Sequence, residues 1–215
     1  MVRNLSENNS IFSIFLAELR DVVIQKDSMR FRKNLERMSE IMAYEISKNL
    51  EYTDCIVKTP LGEAKSCQLA QQPVLATILR AGLPMHQGLL NYFDRAENAF
   101  ISAYRKHSNS ENFEIYVEYI AAPKLDNKVL IISDPMLATG NSMITVYKAL
   151  MKQGKPSKVI ICAAVAAEPA LQYVRKHLPS SVEIYVGAID KELTAQSYIV
   201  PGMGDAGDLA YGEKY

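Results

Sequence analysis

Five short, mainly apolar runs set most of what this chain can become: residues 74–79, 99–104, 129–133, 159–166 and 182–188. Each is too short to cross a bilayer and too continuous for a strand with one wet face. Such runs read as strands buried on both sides. Amphipathic stretches lie between them. One starts at Pro84 and ends near Asn91. A second carries Ile144, Tyr147, Leu150 and Met151 and is stopped by Gly154 and Pro156. A third covers residues 169–177. Strands alternating with helices predict an α/β fold, a mostly parallel sheet flanked by helices.

The first fifty residues have a different texture. Ile11, Phe12, Phe15, Leu19 and Val22 recur at helical spacing, as do Phe31, Leu35, Met38, Met42 and Ile46, with a start signal at Asp27 or Ser28. This pair predicts an N-terminal helical arm that packs on the core or on a second subunit. Residues 114–120 alternate polar and β-forming side chains and predict one strand of a β flap. The polar segment 105–112 before it is expected to be mobile and to lead into a flap that closes over a ligand, with a plain long turn as the alternative. The last fifteen residues carry Gly202, Gly204, Gly207 and Gly212 and read as a shaped loop. The expectation is one domain over 1–215, with the arm at 1–50 and the core at 73–215.

Composition removes several classes. With 24 basic and 24 acidic residues, no global field draws in nucleic acid or an anionic membrane. Cys55, Cys67 and Cys162 lack paired spacing, and Cys162 sits inside an apolar run. No secretory signal and no bilayer-length apolar stretch is present, so a cytoplasmic protein is expected. His86, His107 and His177 are not spaced as metal ligands, and no protein metal site is expected.

The segment Asp134-Pro135-Met136-Leu137-Ala138-Thr139-Gly140-Asn141-Ser142 follows a buried strand and opens a helix. In open α/β sheets, ligands bind at the carboxyl ends of strands. Backbone N–H groups and hydroxyls at a helix N-terminus suit a phosphate. The alternative is a plain capping turn, with Thr139 or Ser142 as the cap. Neither a P-loop nor a dinucleotide fingerprint is present.

Four segments, in order, carry a resemblance. DPMLATGNS is similar to the 5-phosphoribosyl-1-pyrophosphate (PRPP) motif of type I phosphoribosyltransferases, in the form found in the uracil phosphoribosyltransferases. Ile78-Leu79-Arg80-Ala81-Gly82 resembles that family's pyrophosphate loop, and Tyr104-Arg105 its second pyrophosphate arginine. The stretch from Tyr198 to Asp208 resembles its uracil loop. The likeness covers roughly residues 20 to 215, with Phe31-Arg32 and Tyr44-Glu45 in the helical opening.

The resemblance implies the type I phosphoribosyltransferase fold and a pyrimidine-salvage reaction. N1 of uracil would be joined to C1 of PRPP, giving UMP and pyrophosphate. Positive charge grows on the ribose and negative charge on the leaving group, so arginine forks at Arg80 and Arg105 suit the pyrophosphate. Asp134 would take the ribose hydroxyls, and residues 138–142 the 5′-phosphate. PRPP binding is thus expected from Arg80, Arg105, Asp205 and the motif from Asp134 through Pro135, Met136, Leu137, Ala138, Thr139, Gly140 and Asn141 to Ser142. Uracil binding is expected from Ile199, Gly204, Asp205 and Ala206, largely through backbone. Arg105 and Asp205 are the expected catalytic residues. Mg²⁺ would be carried largely by PRPP. A homodimer or larger homo-oligomer is implied.

Departures from the family pattern fall at three places. Pro135 replaces a second acidic residue, as in the uracil enzymes. Asn141 stands where those enzymes usually have Gly, and is expected to tolerate left-handed backbone. Lys106-His107-Ser108 follows the Tyr-Arg pair in place of the common Asn-Glu. A non-catalytic regulator that senses PRPP or nucleotide on the same fold is the alternative function.

Overall fold

The computed structural model describes residues 1–109 and 112–213, with 104–109 and 112–115 described by backbone alone. A short strand β1 (Val2–Asn4) precedes helices α1 (Ile11–Arg20) and α2 (Ser28–Ser47). Then come the hairpin strands β2 (Tyr52–Thr59) and β3 (Gly62–Leu69), followed by β4 (Val74–Leu79), α3 (Leu83–Tyr92), β5 (Glu97–Asn109) and β6 (Asn112–Ala121). Beyond these lie β7 (Val129–Ser133), β8 (Met136–Leu137), α4 (Asn141–Leu150), β9 (Lys158–Ala167), α5 (Glu168–His177) and β10 (Glu183–Asp190). The chain finishes with β11 (Glu192–Leu193), β12 (Ile199–Val200) and α6 (Ala206–Tyr211).

The five apolar runs became β4, β5, β7, β9 and β10. Among the described residues the main sheet runs β1-β10-β9-β7-β4-β5-β6, with β8 also pairing β9. Its pairs are parallel except β5 with β6, which are antiparallel. The winding reverses between β4 and β7. From β4 the chain passes through α3 outward to β5, whereas from β7 it passes through α4 the other way to β9. This reversal leaves a crevice at the carboxyl ends of β4 and β7.

The N-terminal helices lie on this sheet. Asp27 caps α2 by accepting from the amides of Met29 and Arg30 at 3.0 and 3.1 Å. The predicted face of α2 is buried in full: Phe31, Leu35, Met38, Met42 and Ile46. The predicted face of α1 needs correction. Its buried residues are Phe12, Leu16 and Leu19, while Ile11 and Val22 are exposed. Helix α1 ends at Arg20, so Val22 lies beyond it, and Ile11 opens the first turn toward solvent. Phe12 and Met38 press on the backbone of β10 at Gly187, where an added Cβ would lie 3.0 and 2.8 Å from their side-chain ends.

Other elements differ from expectation: residues 2–4, expected within the helical arm, form strand β1, which pairs in parallel with β10 at the edge of the main sheet. Hairpin β2–β3 forms a separate two-stranded sheet with register from Tyr52–Leu69 to Thr59–Gly62 and is exposed along nearly its whole length. The glycine-rich tail holds the short helix α6, capped by Asp205. It is therefore not purely a loop.

Candidate active site

The cradle is pinned before it is shaped. The Asp134 amide donates to the Cys162 carbonyl at 3.1 Å, the Val165 amide donates to the Pro135 carbonyl at 3.0 Å, and β8 pairs with β9. Gly140 then turns the chain into α4 with φ +83°, a left-handed value that favours glycine. A Cβ there would lie 2.9 Å from Val174 Cγ2 and 3.1 Å from Tyr173 Cδ1 on α5. The Asn141 amide donates to Thr139 Oγ1 at 3.3 Å. Asn141 itself begins α4 in right-handed helical conformation. The expected left-handed role at Asn141 is thus corrected: the adjacent Gly140 takes that turn. First-turn amides of a helix have no carbonyl of their own helix to bond. Ser142 and Met143, both in the first turn of α4, line the cleft.

Asp134 sits at the end of β7 and is half-buried. Protein packed around its carboxyl pushes the pKa up to about 7, against a weaker opposing effect from the Met136 amide, which donates to Oδ1 at 3.4 Å. Buried Cys162 lies beneath, its thiol pushed up by burial.

Arg80 follows β4, after a cis peptide from Leu79. It is exposed, and its Nη2 donates to the Gly212 carbonyl at 3.0 Å and to Asp208 Oδ1 at 3.4 Å. The arginine therefore spans from the turn after β4 to the end of α6. Arg105 lies in β5 opposite Ile115 of β6. Its side chain, and Ser110 and Glu111 within the expected flap, lie outside the described residues.

The third wall comes from the carboxyl end of the chain. Val200–Pro201 is cis, Gly202 has φ +59°, and Gly204 has φ +83°. A Cβ on Gly202 would run into the Ile199 carbonyl. Asp205 Oδ1 accepts from the amides of Gly207 and Asp208 at 2.9 and 3.0 Å, which starts α6.

Two adjoining cavities, of about 170 and 600 Å³, join these three segments. Ala81, Asp134, Ser142, Tyr198 and Asp205 line both. Met136, Leu137, Ala138, Thr139, Gly140, Gly204 and Ala206 line the first, and Arg80 the second. Three expected residues stand apart. Pro135 is buried under the cradle, Ile199 is buried beneath its loop, and Asn141 does not line either cavity. Ser197 was not singled out from sequence, and Tyr198 only as the start of the uracil-loop resemblance with no binding role given, yet both face the cleft. Ser197 has φ +66°, and Tyr198 is 48% exposed. An aromatic residue directly before Ile-Val-Pro-Gly was the available signal. Among the described residues, no cluster of three or more His, Cys, Asp or Glu is placed to hold a metal ion. The cleft carboxylates are Asp134 and Asp205.

A family model described as uracil phosphoribosyltransferase matches residues 6–213. A Porphyromonas gingivalis protein named uracil phosphoribosyltransferase is 54% identical over 213 residues, covering 99% of each chain. A Methanothermobacter thermautotrophicus protein of the same name is 38% identical over 188 residues, 86% of this chain and 85% of the other. A solved protein of Aquifex aeolicus superposes with a TM-score of 0.87 at 30% identity, covering 99% and 98% of the two chains. A hypoxanthine phosphoribosyltransferase from Staphylococcus aureus superposes with a TM-score of 0.52 at 15% identity, covering 87% and 84%, a likeness of fold alone.

Proposed function

This chain belongs to the uracil phosphoribosyltransferase family, and from that membership we propose how its cleft works. The enzyme transfers the 5-phosphoribosyl group of PRPP to N1 of uracil, forming UMP and releasing pyrophosphate, a pyrimidine-salvage reaction. The observation that carries the reading of the site is the meeting of three separate segments on one cleft: the cradle after β7, the turn after β4, and the loop before α6.

In this reading the 5′-phosphate rests on the first-turn amides of α4 and on Thr139 and Ser142. Asp134 holds the ribose hydroxyls. Arg80 turns from Asp208 and Gly212 toward pyrophosphate, and Arg105 approaches it from β5. Guanidinium groups placed there stabilise charge that appears only as the C1–O bond breaks, which lowers the barrier and not merely the binding free energy. Backbone of residues 204–206 reads the uracil edge. Asp205 stands between the two substrates and is, with Arg105, the residue closest to the chemistry. Fixing both substrates in one cleft converts their encounter into a first-order step. Pro135, Met136, Leu137, Asn141 and Ile199 shape the backbone that makes these contacts.

Mg²⁺ belongs to this reading as a passenger on PRPP. The residues present fit that arrangement: two cleft carboxylates, Asp134 and Asp205, complement a cation held mainly by pyrophosphate and water. The ion would neutralise pyrophosphate charge when bound.

The chain also acts as one domain and as a homo-oligomer. Hairpin β2–β3 exposes Ile56 and Leu61, the latter at 99%. A second copy of this chain is the occupant that fits, since a symmetric pair buries the same apolar residues twice. A cytoplasmic setting suits the free cysteines. No described helix is long and apolar enough to cross a membrane.

The test is product formation. The protein is incubated with PRPP, Mg²⁺ and uracil, cytosine, hypoxanthine or adenine in turn. UMP from uracil is expected. PRPP binding without nucleotide from any base would overturn the reading.

A further inference from the structure

Arg20 and Asp190 form an ion pair that the reaction above does not use. Arg20 is the last residue of α1, and Asp190 is the last residue of β10. The guanidinium binds the carboxylate with both prongs: Nη1 to Oδ2 and Nη2 to Oδ1, each 2.9 Å. Asp190 is 7% exposed and Arg20 23%. Such a buried carboxylate needs its hydrogen bonds satisfied to stay folded. The pair does more than satisfy itself. Asp190 Oδ2 accepts from the Gly202 amide at 2.9 Å, and Arg20 Nη1 donates to the Gly202 carbonyl at 3.3 Å. Both backbone groups of one residue are thus held by one ion pair.

Gly202 is the pivot of the base loop. It follows a cis proline peptide and has φ +59°, and its neighbour Gly204 lines the cleft. Gln25, just beyond α1, sits over the same loop: a Cβ on Gly204 would lie 3.7 Å from its Oε1. Gln25 Nε2 in turn donates to the Arg20 carbonyl at 3.4 Å. None of Arg20, Gln25 and Asp190 lines the cleft.

We propose that Arg20 and Asp190 are positioning residues for the base: their ion pair clamps Gly202 and so fixes where the backbone of residues 204–206 meets the uracil edge. The proposal rests on the uracil reading of that loop. Backbone recognition has no side chain to re-aim. Its selectivity depends on how tightly the peptide planes are held, and a donor or acceptor displaced from its partner loses most of its contribution. The phosphate cradle is anchored separately on β9, so the clamp acts on one substrate only.

The experiment compares Arg20→Lys and Asp190→Asn with the natural protein. Arg20→Lys keeps the charge and loses the planar fork. Asp190→Asn keeps one acceptor oxygen and loses the charge. Steady-state KM is measured for uracil and for PRPP, with kcat/KM for cytosine, which offers a donor amine where uracil offers its C4 carbonyl. Expected is a rise in uracil KM of about tenfold or more, the loss of one charge-assisted hydrogen bond. PRPP KM should stay within about twofold, as for an uncoupled distant site. The preference for uracil over cytosine should fall. A purely structural pair would lower the active fraction and leave both KM values and the base preference unchanged, and that result would overturn the proposal. So would a parallel rise in both KM values. If Asp190→Asn does not fold, Arg20→Lys decides alone. A natural protein that forms no UMP from uracil overturns the site reading and the clamp together. A natural protein that forms UMP, with variants of unchanged uracil KM, overturns the clamp alone.

Discussion

Asp134 shows at the scale of one residue what a functional carboxyl costs a fold. Packing holds its pKa near 7 in the free protein, above the usual carboxylate range. Between about pH 4 and pH 7 the folded chain therefore keeps a proton that the unfolded chain has lost, and stability falls as pH rises through that window. Asn at 134 has no proton to lose. Asp134→Asn should gain thermal stability over the natural protein as pH is raised from about 5 to 8, with kcat/KM for PRPP reduced; calorimetry and initial rates check the two halves. Arg105 is a second residue-scale case. Arg105→Ala should lower turnover by about 10²-fold or more, as removal of a donor to a developing oxyanion does, while circular dichroism stays native. Asp134 was named from its place after a buried strand, and Arg105 through the family resemblance of Tyr104-Arg105. Sequence misplaced the left-handed turn at Asn141, since Gly140 beside it holds φ +83°. It could not see Arg20 and Asp190 at all. They lie 170 positions apart, and only folding brings an ordinary helix-end arginine to an ordinary strand-end aspartate.

At the scale of elements, α6 and hairpin β2–β3 depart from the sequence expectation. The glycines of the tail hid six helical residues, although Asp205 accepts from two amides as an N-cap should. Asp205 caps α6 and, in the proposed function, also serves the reaction, and substitution separates the two roles. Asp205→Asn keeps a capping oxygen and should melt near the natural protein, with turnover lowered. Asp205→Ala should lose about 1 kcal/mol of stability as well, the worth of a cap. A denaturant titration with parallel assays distinguishes them. The hairpin does carry a sequence signal: Pro60 and Gly62 punctuate a run of β-forming residues, a turn pattern of familiar kind. Its mixed charges masked it, because an exposed ribbon has no buried face to impose alternation. Charges placed on that ribbon test its partner. Ile56→Asp with Leu61→Asp should shift the proposed homo-oligomer toward monomer in light scattering, with little change in melting of the monomer itself. The parallel strands were legible for the opposite reason. Strands buried on both faces must be apolar throughout, so β4, β7, β9 and β10 declare themselves.

For the whole molecule, the winding reversal between β4 and β7 decides where chemistry happens. The strand pattern implied a mostly parallel sheet but no reversal in it, because strand order is not legible in the sequence. The cleft it opens is walled by segments from the middle and the end of the chain, and the first helices hold the last wall in place through Arg20 and through Arg32, whose Nη1 donates to the Ala210 carbonyl at 2.6 Å. A ligand that bridges these walls should therefore stabilise the entire fold. PRPP at a hundred times its Kd should add about 2.7 kcal/mol, from mass action alone, and scanning calorimetry should record one transition moving upward rather than two separating. The cradle and the base loop also belong to different stretches of chain, pinned by different partners: β9 for one, Arg20 and Asp190 for the other. Inheritance can act on them separately. If the proposed site reading holds, a lineage can rewrite residues 197–207 and the clamp beneath them to accept a new base, while leaving intact the stretch assigned to ribose phosphate, so that one ancestral grip on an activated sugar can serve many acceptors.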